Sequence, residues 1–124
     1  MFYGLGYNDA DIEKPRVGIM NTWNEINPAT SISATWPTPS GRASSNAADF
    51  PSCFTGVNLC DCVGGGDYVL PSRDLLVNEI ELNAKAHHLD AMVLIGTCDK
   101  VVPAMLMAAG RVGTSPPSSS PAAT

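Results

Sequence analysis

A chain of 124 residues with 44% hydrophobic side chains is long enough for one domain with a modest core. Its formal net charge of -5 argues against a nucleic-acid-binding surface, which needs a basic patch. No apolar run reaches membrane-spanning length, the N-terminus lacks a charged-then-apolar signal pattern, and Cys53, Cys60, Cys62 and Cys98 do not make a secreted disulfide framework in a chain of this size. The expected setting is therefore reducing and cytoplasmic, with free or metal-bound thiols and no nucleic-acid or membrane partner.

Residues 1–14 mix Gly4, Gly6 and Asn8 with acidic side chains and read as a helical or irregular lead-in. Pro15 introduces Arg16-Val17-Gly18-Ile19-Met20, a short strand. The polar segment NTWNEINP, residues 21–28, follows it. Its plainest reading is a capped turn with Trp23 anchored in the core. Residues 29–55 then lose apolar periodicity, with proline and serine scattered through them. They read as an irregular stretch, and a loop of that length is unusual inside a compact domain.

Gly56 to Leu59, GVNL, reads as a short strand leading into Cys60-Asp61-Cys62 and the triplet Gly64-Gly65-Gly66. A Cys-x-Cys pair can hold metal, but no second pair stands at zinc-site spacing. The glycine triplet lacks the spacing and the following Lys-Ser/Thr of a phosphate loop.

Residues 71–89 carry the clearest helical signal. Ser72 suits the N-cap and Asp74 the first turn. Leu76, Ile80 and Ala84 share one face, and Glu81 and Lys85 form an exposed i, i+4 pair. His87 and His88 suit the C-terminal end of the helix dipole, and a solvated helix terminus accounts for them better than metal ligation. Ala91 to Ile95 is a buried strand broken by Gly96 and Thr97. After Cys98-Asp99-Lys100, Pro103 opens a second helix through residues 104–109, with Gly110 just past its end. The tail GTSPPSSSPAAT, residues 113–124, has the composition of a disordered end.

The order helix, strand, loop, helix predicts an α/β fold: a partial doubly wound sheet of strand-loop-helix units. Cys98, Asp99 and Lys100 then fall where a buried strand hands over to a helix, the end of an open sheet at which ligands collect. Cys98 has three readings on position alone: a small buried hydrophobe, a nucleophile activated by a helix N-terminus, or a metal or cluster ligand. The neighbouring Asp99 favours metal, because hard divalent ions take carboxylate oxygen.

Three blocks carry a family resemblance: KPRVGIMNTWNEINP, then LPSRDLL, then LDAMVLIGTCDKVVPAMLMAAGR. In this order and approximate spacing they resemble the N-terminal part of the dihydroxy-acid dehydratase / 6-phosphogluconate dehydratase family, which includes sugar-acid dehydratases. The resemblance implies a hydro-lyase that removes water from 2,3-dihydroxy carboxylates or sugar acids to give 2-oxo acids. It implies an iron–sulfur cluster, [2Fe-2S] or [4Fe-4S], a nearby Mg²⁺, a homo-oligomeric parent, and a place in branched-chain amino acid biosynthesis or sugar-acid metabolism. Cys98 matches a cluster ligand, Asp99 a Mg²⁺ ligand, and Lys100 a lysine that is carbamylated in several members. No catalytic base is expected here, because the serine usually proposed lies beyond this chain.

The sequence also departs from the family. A cluster cysteine expected just after Asn-Pro is Ala29. A further Mg²⁺ acid, counted back from the Leu-Pro-Ser-Arg block, falls on Gly64, with Asp61 and Asp67 close by in a segment about four residues short. Residues 1–112 are thus expected to be an incomplete N-terminal domain of a larger enzyme, inactive alone. The irregular 29–55 and the tail 113–124 read as if out of frame: GC-rich synonymous codons read one base earlier turn the stretch within residues 31–55 into HISNLADAVRAGIIECGGFPVVFH. Two alternatives stand beside the dehydratase reading: a non-catalytic α/β binding domain, and a thiol enzyme using Cys98.

Overall fold

The computed structural model describes Tyr3 and residues 7–30, 50–64 and 66–113. Asn8 opens α1 (Asp9–Ile12): its side chain accepts from Asp11 N while the Asp11 carboxylate accepts from Asn8 N. Pro15 then releases the chain into β1 (Arg16–Asn21). β2 (Phe50–Thr55) and β3 (Ala91–Ile95) flank β1 on its two edges, and both pairings are parallel. Parallel neighbours need crossovers. The crossover from β2 to β3 runs through a one-turn helix α2 (Asp61–Gly64), a 3-10 turn (Gly66–Tyr68) and the long helix α3 (Val69–Ala86). After β3 the chain forms α4 (Val101–Gly113). This is the expected α/β class with a partial parallel sheet.

Side chains alternate across a strand. One face of the sheet carries Met20 of β1, Phe54 of β2, and Met92 and Leu94 of β3. Leu76, Val77 and Ile80 of α3 and Val101, Ala104, Met105 and Ala108 of α4 pack there with Met20 into one cluster. The expected helical face is therefore correct: Leu76, Ile80 and Ala84 are all buried. On the other face Cys53, Thr55 and Ala91 are exposed and Val93 is 48% exposed. Among the described residues, the long helices α3 and α4 cover one face only.

Close approach decides the glycine at the end of β3. A Cβ on Gly96 would meet Met105 Sδ at 2.7 Å and Val101 Cγ1 at 3.1 Å. A side chain there would have to push the flexible end of Met105 aside. The two helices are also clamped at their surface: Glu81 pairs with Lys85 at 2.6 Å and with Arg111 of α4 at 2.6 Å.

Several expectations shift. The segment 29–55 is not irregular to its end, because Phe50–Thr55 is β2; pairing with β1 compensates for its weak apolar pattern, and an edge strand tolerates Pro51. The predicted strand GVNL is instead the loop after β2. Ser72 does not cap α3, which starts at Val69; its hydroxyl donates to Val69 O at 2.7 Å inside the first turn. Gly110 does not end α4, which runs on to Gly113. Trp23 is 42% exposed and anchors no core. Residues 31–49 and the tail from 114 lie outside the described residues.

Candidate functional site

Parallel strands deliver their following loops to one end of the sheet. Here those are Thr22 to Thr30 after β1, Gly56 to Cys60 after β2 and Gly96 to Lys100 after β3. The first two are tied by a buried polar network of Asn21, Thr22, Asn27, Thr30 and Asn58. Asn27 Nδ2 donates to Asn58 Oδ1 at 2.9 Å, and Asn58 Nδ2 donates to Thr22 O at 2.9 Å. Asn24 Oδ1 accepts from Asn27 N at 2.8 Å, and the Thr30 hydroxyl donates to Asn27 O at 2.7 Å. Thr22 Oγ1 reaches Ile95 O at 3.3 Å and so joins the loop after β1 to β3. The asparagines of NTWNEINP are thus a scaffold: their amides satisfy backbone groups that a buried loop would otherwise leave unpaired.

The third loop carries the predicted chemistry. Cys98 O accepts from Val101 N and Val102 N, both at 3.1 Å, so Cys98 sits at the start of α4. Its thiol donates to Asp99 Oδ1 at 3.5 Å and lies 3.9 Å from Leu59 O. Lys100 Nζ bridges two carboxylates, Asp99 Oδ2 at 2.7 Å and Asp61 Oδ2 at 3.1 Å. The acid the fold brings to Lys100 is therefore Asp61. Gly64, the position reached by counting back, ends α2, and a Cβ there would meet nothing within 4 Å. Asp61 Oδ1 is buried without a hydrogen-bond partner among the described residues, as is Thr97 Oγ1.

Electrostatics sort the readings of Cys98. Burial pushes its thiol up, the hydrogen bond to Asp99 pushes the same way, and Cys60 adds to it. Backbone N–H groups of Lys100 and Asp99 pull the other way, but the net shift is upward. The hydrogen bond from Lys100 holds the Asp99 carboxyl below its ordinary range, and Asp99 and Asp61 together raise Lys100. Lys100 is thus a firmly protonated ammonium between two carboxylates in this arrangement.

Two of the expected ligand positions do not come together with these. Ala29 is exposed in the 3-10 turn Pro28–Thr30 and has no donor to offer. Among the described residues, no three His, Cys, Asp or Glu side chains already converge on a metal position. Sequence reasoning missed Asn58, whose buried amide joins two loops, and undervalued Cys60 and Asp61, read chiefly as part of a short Cys-x-Cys pair. A cavity of about 470 Å³ lies at the opposite end of the sheet, beside Arg16, Phe50, His87, His88 and Leu89, and none of the predicted site residues lines it.

A thiol, two carboxylates and an amine thus gather beyond the strand ends of a partial parallel α/β sheet, the end at which ligands collect in open α/β folds. The family model described as Dihydroxy-acid/6-phosphogluconate dehydratase N-terminal matches residues 14–117, and the chain belongs to that family. It is 40% identical over 111 residues to dihydroxy-acid dehydratase 1 of Methanosarcina acetivorans, covering 86% of this chain and 20% of that protein. It is 38% identical over 120 residues to the dihydroxy-acid dehydratase of Clostridium novyi, covering 90% and 21%. The enzyme of the same name from Pyrococcus furiosus is 33% identical over 116 residues, covering 90% and 21%. The chain thus spans about a fifth of the length of the curated relatives it matches. No described helix is long and apolar enough to cross a membrane.

Proposed function

We propose that this chain supplies the N-terminal share of the active site of a cytoplasmic hydro-lyase acting on a 2,3-dihydroxy carboxylate. The reaction moves a hydrogen and expels a hydroxyl, so that R–CH(OH)–CH(OH)–COO⁻ becomes R–CH₂–CO–COO⁻ and water. One observation carries the reading: Lys100 Nζ bridging Asp61 and Asp99 beside the Cys98 thiol, at the strand ends. The relatives named dihydroxy-acid dehydratase supply the substrate class.

The residues fit the expected cofactors unequally. Asp61, with its orphaned Oδ1, and Asp99 have the oxygen chemistry that Mg²⁺ takes. Cys98 offers one thiol toward an iron–sulfur cluster, and further ligands belong to the remainder of a family-length chain. Bound there, these groups would supply Lewis acidity toward the departing hydroxyl and the substrate carboxylate. The chain's own residues position and balance charge. Asp99 and Asp61 present negative charge, Lys100 neutralises it while no cation is bound, and the asparagine network holds the three loops in register.

The test joins this chain to the remaining four-fifths of the Methanosarcina acetivorans relative and reconstitutes the product anaerobically with iron, sulfide and Mg²⁺. A brown chromophore and 2-oxo acid release are expected, both lost in Cys98→Ser and neither in Cys53→Ser. Turnover that survives Cys98→Ser overturns the reading. The chain alone is expected to give no turnover.

A further inference from the structure

The cavity of about 470 Å³ has no part in the dehydratase site, which lies beyond the opposite strand ends. Its size is that of small-molecule sites. Phe50, Phe54 and Leu89 form its apolar walls. Phe50 is buried and packs on the Tyr7 ring with 4.5 Å between centroids. Phe54 and Leu89 lean over Gly18, where a Cβ would collide with Leu89 Cδ1 and stand 3.2 Å from Phe54 Cε1.

The charged side of the cavity is basic. Arg16, His87 and His88 line it, and its described lining includes no carboxylate, although the chain carries a formal net charge of -5. Asp90, the acid next in sequence, is bound at the backbone: its Oδ2 accepts from Arg16 N at 2.8 Å, and its N donates to Arg16 O at 2.9 Å. These bonds pin Arg16 at the start of β1. The carbonyl end of α3 opposes an anion. Arg16 Nη1 donates to one of those carbonyls, His87 O, at 3.4 Å. A guanidinium has five N–H donors, enough for that carbonyl and an anion together. His88 adds an independent mark. It holds φ 51, where glycine is favoured, and backbone strain of this kind clusters at ligand sites.

We propose that this cavity binds a small organic anion with an apolar body: a carboxylate held by Arg16, His87 and His88, its aryl or alkyl part against Phe50, Phe54 and Leu89. Arg16 takes the carboxylate in its fork, and imidazole N–H groups donate to the same oxygens. Binding makes and breaks no covalent bond. It is independent of Cys98, Asp99 and Lys100.

The probe is hydrocinnamate, titrated into the isotope-labelled chain and followed by amide NMR, with hydrocinnamyl alcohol as its uncharged counterpart. Shifts are expected at Ser52, Phe54, His87 and Leu89 and not at Asp99 to Val101. The alcohol should bind at least about tenfold more weakly, because hydrogen bonds to charged groups exceed that factor. Arg16→Gln, which keeps the backbone pair with Asp90, should weaken the anion by a similar factor and leave the alcohol unchanged. His88→Gly should weaken the anion while raising the denaturant midpoint, a combination that a purely structural residue does not give. Equal binding of acid and alcohol to the unsubstituted chain overturns the anion site and needs no variant to fold. Shifts confined to other residues, or none at millimolar probe, overturn the cavity as a binding site.

Discussion

Asn58 Nδ2 donates to Thr22 O at 2.9 Å and ties the loop after β2 to the loop after β1. The same amide accepts from Asn27 Nδ2, and both asparagines are buried. Asn24 Nδ2 donates to Asn58 O at 3.3 Å, a further link between the same two loops.

Asn58→Ala should therefore leave Thr22 O and Asn27 Nδ2 buried and unpaired. A lost partner of this kind costs about 1–3 kcal/mol. Urea unfolding should show that loss, and hydrogen exchange should speed up through residues 22–30. An unchanged midpoint with unchanged exchange would show that the network does not hold the site.

The core should respond unevenly along α3. Leu76 and Ile80 are fully buried in the cluster with Met20 and Ala104, while Leu82 is 67% exposed. Ile80→Ala should cost about 2–5 kcal/mol, or abolish the cooperative transition if the fold is no more stable than that. Leu82→Ala should stay within about 0.5 kcal/mol. Equal effects at the two positions would place α3 the wrong way round on the sheet.

His88 has φ 51, a left-handed conformation that favours glycine. It stands just past the end of α3, where Leu89 N donates back to Ala84 O at 3.0 Å. His88→Gly keeps that turn and removes the Cβ strain, a gain of about 1 kcal/mol. The denaturant midpoint should rise with an unchanged slope; a fall would mean that the imidazole contributes more than its backbone costs.

The clamp between α3 and α4 should be acid-sensitive. The hydrogen bond from Lys85, with Arg111 adding to it, holds the Glu81 carboxyl below its ordinary range. A carboxylate depressed in the folded state contributes stability above its unfolded pKa and loses it as pH falls through the folded value. Glu81→Gln should lower the melting temperature slightly at neutral pH, and the gap between the two chains should close toward pH 3. A gap that widens in acid would contradict the sign. Salt should narrow it at neutral pH, since the pair is exposed.

The coding DNA provides a separate check on the weakly patterned stretch. If the stretch within residues 31–55 is read out of frame, the actual codons read one base earlier should yield HISNLADAVRAGIIECGGFPVVFH. Any other string removes that explanation.

Local periodicity made α3, β3 and the burial of Leu76, Ile80 and Ala84 legible, because those signals need only neighbouring residues. Cys98, Asp99 and Lys100 were legible for the same reason: they are consecutive. β2 was not, since FPSCFT carries little pattern of its own and depends on hydrogen bonds to β1 for its strand form. The partners of the site were hidden likewise. Leu59 and Asp61 reach Cys98 and Lys100 only because the parallel order β2-β1-β3 brings the ends of three strands to one edge. The sequence by itself determined the family and the class of fold. Only the tertiary structure decided that Asp61, not Gly64, faces Lys100, because counting along a shortened segment cannot measure distance across a sheet.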